Sequence, residues 1–100
     1  MTTETRNYYL EQILTSEGGT PTPDLTMNGL LSAIVIAGGG VITNEHNRND
    51  LLLDYLEAKG GARSDLTRNQ IIEAIITQLG GTPGDNKTRN DLLILWEATI

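Results

Sequence analysis

Residues 67–82 read T-R-N-Q-I-I-E-A-I-I-T-Q-L-G-G-T, and this stretch recurs in altered form along nearly the whole chain. Set in one register, the copies begin at Thr5, Thr26, Asn47, Thr67 and Thr88, at intervals of 21, 21, 20 and 21 residues. The third place of every copy is asparagine: Asn7, Asn28, Asn49, Asn69 and Asn90. Four copies close on paired glycines, Gly18-Gly19, Gly39-Gly40, Gly60-Gly61 and Gly80-Gly81. A repeat this short is one supersecondary unit that cannot bury its apolar face alone, so the copies must stack.

The apolar residues of each copy fall at its fifth, sixth, ninth and tenth places, as in Leu30, Leu31, Ile34, Val35 and Ile71, Ile72, Ile75, Ile76. Spacings of one, four and five gather on one side of a 3.6-residue helix, whereas a strand would scatter them over both faces. The leading Thr or Asn is the N-cap, and Leu25 and Leu66 precede two of the caps as hydrophobic staples. The glycine pair supplies the left-handed C-cap, and Pro21 or Pro83 shortly after it prevents continuation.

The fold class is therefore all-α: five short helices from a 21-residue repeat, arranged as a small solenoid or a compact helical array. A helix of about twelve residues is marginal alone. The link from one glycine pair to the next cap reaches roughly 20 Å if extended, close to the roughly 18 Å length of such a helix. It is compatible with parallel stacking and with an antiparallel turn.

The chain has 100 residues, 38% of them apolar, with no Phe and a single Trp. That fits a flexible tail at residues 1–4 and one helical-repeat domain over 5–100, with a core of Leu, Ile and Val. A core this small gains from oligomerisation or a partner. Without cysteine there are no disulfides, thiolate nucleophiles or cysteine zinc sites. A net charge of −6 disfavours nucleic acid and anionic membranes as partners. No stretch has the length of a membrane span or the pattern of a leader peptide.

Local departures from the repeat are informative. Tyr9 is expected in the core and Tyr8 at the surface. The second copy, L-L-S-A-I-V-I-A over residues 30–37, is apolar nearly all round, which predicts a central helix wrapped by the other four, or else a docking face. The fifth copy carries Leu92 to Trp96 without interruption, a surplus that either a neighbour covers or a partner meets, so Leu93, Ile94, Leu95 and Trp96 are the candidate partner-binding residues. The five asparagines are candidate register residues, each bonding an adjacent link. The arginines beside four of them, Arg6, Arg48, Arg68 and Arg89, read first as part of the same structural ladder, since Met27 replaces arginine in the second copy and the overall balance is acidic; the alternative is that they meet phosphates or acidic partner surfaces.

Signs of catalysis are lacking. The glycines follow helices and no G-K-[ST] occurs, so they are caps and not a phosphate loop. His46 stands alone without a second His or any Cys, and the pairs Glu11 with Glu17 and Asp50 with Asp54 read as solvated faces. No catalytic, cofactor or metal residue is assigned, and the chain is read as a non-enzyme.

The pattern T-R-N-x-L-L-x-x-I closed by G-G-T-P resembles short repeats in small virion structural proteins of tailed bacteriophages, over residues 5–100. The second copy departs from it at Met27 and Gly29. The resemblance implies a component of the virion, made in the host cytoplasm, that binds other virion structural proteins in symmetric multicopy or as a homo-oligomer. Capsid decoration, head fibre, or neck and tail adaptor are the roles implied. The alternative is a small acidic cytoplasmic binding module that regulates a basic partner protein.

Overall fold

A computed structural model describes residues 5–22, 25–85 and 87–100. The expected tail at 1–4, and Pro23, Asp24 and Asn86 of the links, lie outside the described residues. Five helices follow one another: α1 (Arg6–Ser16), α2 (Met27–Ala37), α3 (Arg48–Ala58), α4 (Arg68–Gln78) and α5 (Arg89–Ala98). All five caps are those the repeat predicts. Thr5, Thr26, Asn47, Thr67 and Thr88 each accept a hydrogen bond from the backbone N–H three residues on. In α4 and α5 the third helical residue, Gln70 or Asp91, reaches back to complete a capping box.

The glycine pairs divide the work of termination. The first of each pair has positive φ, +94° at Gly60 for instance, and its N–H bonds the carbonyl three residues back. The second donates to the carbonyl five residues back, as Gly61 does to Leu56 at 2.9 Å, which completes a Schellman motif. At that second position a Cβ would overlap the side chain it follows, Leu56 in the case of Gly61. One glycine is thus needed for its backbone and the other for its lack of volume.

The helices are parallel and form a closed ring. Each packs against two others only, α1 on α2 and α5, and so on round to α5 on α4 and α1. The first-turn residues of all five, Arg6, Met27, Arg48, Arg68 and Arg89, surround one axial space. All helices therefore start at the same end, and the links run back along the wall to do it. The described residues span 32 × 31 × 22 Å. No helix is central: the expectation that α2 would be wrapped by the other four is corrected, because α2 is one stave among five. Its all-round apolarity has another outcome, since Ile36 on its outer side is 64% exposed and Val41 just beyond is 80% exposed.

Down the axis the spacing 4, 3 sets layers. Below the rim come Leu10, Leu31, Leu52, Ile72 and Leu93, then Ile13, Ile34, Tyr55, Ile75 and Trp96, all buried. Three of the five positions in the lower layer carry β-branched isoleucine, Ile13, Ile34 and Ile75, while the other two, Tyr55 and Trp96, meet across the ring at 4.9 Å between centroids. Gly38 makes room for them, since a Cβ there would stand 2.9 Å from Tyr55 Cε1. The ring is a packed core and not a channel; about 20 Å³ of open space remains beneath the rim, the room of roughly one water.

Candidate functional site

The most unusual feature is the rim where the five helices begin. Four of the chain's seven basic residues meet there: Arg6, Arg48, Arg68 and Arg89, with Met27 in the fifth place. Their aliphatic stems ring the axial space over the leucine layer. Each of three turns its Nε sideways to the asparagine of the preceding copy: Arg48 to Asn28 Oδ1 at 2.7 Å, Arg68 to Asn49 at 2.8 Å and Arg89 to Asn69 at 2.9 Å. Asn28 in turn donates to the carbonyl of Glu45 in the following link at 3.1 Å. Three of the five asparagines, Asn28, Asn49 and Asn69, thus tie neighbouring copies together through arginine side chains, and Asn28 also makes the expected bond to the backbone of a link.

Those bonds leave the terminal guanidinium nitrogens free of carboxylates. Among the described residues no acidic oxygen lies within ion-pair distance of any of the four. Arg63, by contrast, pairs with three: Asp50 at 3.2 Å, Glu57 at 3.1 Å and the buried Asp54. The rim arginines face one another instead. Arg68 is held below the usual arginine range first by burial and then by Arg48 and Arg6, and Arg89 likewise by burial and then by Arg6, Arg68 and Arg48. The five helix N-termini add their positive ends at the same place. Between α2 and α4 the rim opens into a polar hollow lined by Asn28, His46, Asn47, Arg48 and Arg68.

Two further polar clusters are structural. Asp54, expected on a solvated face, is buried: it accepts from Thr43 N–H at 2.8 Å and Thr43 Oγ1 at 2.9 Å, as well as from Arg63. This pins the links on both sides of α3 to its outer face. Glu17, also expected to be solvated, accepts from the Tyr55 hydroxyl and pairs with Lys59 at 3.3 Å, tying α1 to α3 at the far end of the ring. Burial, and then the bond to Glu17, push the Tyr55 phenol well above its ordinary value. Neither cluster could be read from spacing, because each partner comes from another copy or link.

The candidate partner-binding run in α5 is split by the ring. Leu93 and Trp96 point inward and are fully buried, so their assignment to a partner surface is corrected: closure onto α1 and the axis covers them. Leu95 is half-buried against the core, and Ile94 remains 46% exposed. Ile94 shares a shallow hollow with Glu97 and with Tyr8, Tyr9 and Gln12 of α1. Tyr8 is at the surface and Tyr9 packs partly on the core, as expected, their rings edge to face at 5.5 Å. His46 is exposed beside Glu45, at 3.5 Å. Among the described residues no group of three or more His, Asp or Glu is placed to hold a metal, and no helix is long and apolar enough to cross a membrane. Comparison with family models, curated proteins and solved structures returns no match.

Proposed function

We propose that this chain is a non-catalytic structural protein of a phage particle, which binds other virion proteins through its outer wall. The observation that carries the binding half of this reading is the distribution of apolar surface. The axis is filled, with only about 20 Å³ left open beneath the rim, so the surface available for binding among the described residues lies at the rim and on the outer wall. Yet Tyr8 and Ile94 on one side of the wall, and Ile36 and Val41 on another, stay exposed although the ring has closed. Apolar side chains of this size left in water beside a completed core are what a docking face requires. The resemblance of the repeats to small tailed-phage structural proteins supports the virion half.

The hollow between α1 and α5 is the part of the candidate surface we retain, with Ile94 joined by Tyr8 and Tyr9, while Leu95 packs partly against the core. Mass spectrometry of purified particles tests the reading, since a stoichiometric component is expected. Ile94→Glu is expected to leave the ring folded and to deplete the protein from particles. Absence of the wild-type protein from particles, with recovery on a basic cytoplasmic protein, would replace this reading with the regulator.

A further inference from the structure

We infer that the rim at the start of the five helices is a binding site for a phosphate-class oxyanion. The inference rests on the rim geometry and is independent of the virion reading. A protein of net charge −6 has collected four of its seven basic residues in one ring. It has nevertheless placed none of its carboxylates among the described residues within ion-pair distance of them. Like charges held together with partial desolvation raise the free energy of the folded state, and an anion on the axis removes that cost.

Geometry selects the class of anion. The Nε–H of Arg48, Arg68 and Arg89 is committed to asparagine, which fixes each guanidinium plane and leaves the terminal N–H groups to the ligand. Planar forks held in this way match the edges of a tetrahedral oxyanion. A carboxylate offers two oxygens and a single charge to four cations and five helix starts; phosphate or pyrophosphate offers more of both. The narrow space below, floored by Leu10, Leu31, Leu52, Ile72 and Leu93, keeps the ligand at the mouth. Asn28, Asn47 and His46 supply polar groups on the Arg48 and Arg68 side.

The second copy provides the test variant, because Met27 already occupies the equivalent rim position within the fold. Calorimetric titration of the whole chain with pyrophosphate, with phosphate and with acetate, each at matched ionic strength, is expected to give binding for the first two and none for acetate. Arg68→Met is expected to weaken pyrophosphate by at least about tenfold, the loss of charged hydrogen bonds from one guanidinium. Lys59→Met, the same charge change at the opposite end of the ring, is expected to leave binding unchanged. Arginine Nε–H resonances read the site without any substitution: those of Arg48, Arg68 and Arg89 shift on titration while that of Arg63 stays. Equal binding of acetate, equal weakening by Lys59→Met, or a response reproduced by sodium chloride would each overturn the assignment.

Discussion

Replacing Trp96 tests the closed ring most directly. Its side chain is 0% exposed and meets Tyr55, from a helix that is not a neighbour of α5 in the ring, across the axis at 4.9 Å. Trp96→Ala removes the largest group in the lower layer, and neighbours on four other helices cannot collapse into the space without opening the ring. A buried aromatic truncated to alanine costs about 3–5 kcal/mol. For a domain whose whole stability is about 5–15 kcal/mol, that lowers Tm by on the order of 20 °C. Trp96→Phe behaves differently. The phenyl ring keeps an aromatic face against Tyr55 and gives up the indole N–H, which is buried beside the Tyr55 hydroxyl, so part of the packing survives that alanine would lose. Its net cost should be clearly smaller than that of Trp96→Ala, because fewer buried atoms are removed. Urea melts followed by circular dichroism measure both variants. If Trp96→Ala costs less than about 1 kcal/mol, or Trp96→Phe costs as much as Trp96→Ala, the packed axis is refuted and the residue returns to the surface.

Other perturbations probe other joints. Arg63→Ala leaves the buried Asp54 with Thr43 alone and should cost about 2 kcal/mol, less than a fully buried pair because Arg63 is partly in water; thermal melts report it. Gly61→Ala, which drives a methyl into Leu56, should destabilise by about 1–3 kcal/mol, and a stability equal to wild type would show that the cap relaxes freely. Above about pH 10 the unfolded chain loses the Tyr55 proton that the folded state keeps. Stability should therefore be full below that pH and fall by about 1.4 kcal/mol per unit as pH rises toward the raised folded value. The alkaline slope should lessen in Tyr55→Phe and persist if Tyr55 is not the cause. Deleting residues 89–100 should unfold the remaining chain, because a ring cannot lose a stave; an open solenoid would merely shorten and keep a cooperative melt.

Much of this architecture was legible because it is local. A cap needs a hydroxyl or amide three residues before a free N–H, and Thr5, Thr26, Asn47, Thr67 and Thr88 announce it. The glycine pairs announce the opposite end for reasons of φ and volume that need no tertiary partner. The apolar spacing separates helix from strand by geometry alone. The surplus at Leu93 to Trp96 was visible as a surplus, yet what covers it depends on α1, some eighty residues earlier. Asp54 looked solvated because Thr43 and Arg63, which bury it, flank its helix on separate links.

By itself the amino-acid order decided that there would be five nearly identical helices, where each begins and ends, and which stripe of each is apolar. The links were long enough for parallel or antiparallel neighbours, so they left the arrangement open. Only the tertiary structure decided that five equal turns bring the last helix back to the first. That closure is a sum of small rotations between neighbours, set by side-chain packing at every interface, and no single copy encodes it. It sends α2 into the wall, Trp96 to the axis and Ile94 to the outside. It also converts the arginine that precedes the asparagine in four of the five copies into a ring of guanidiniums around a common axis, with Met27 in the fifth place.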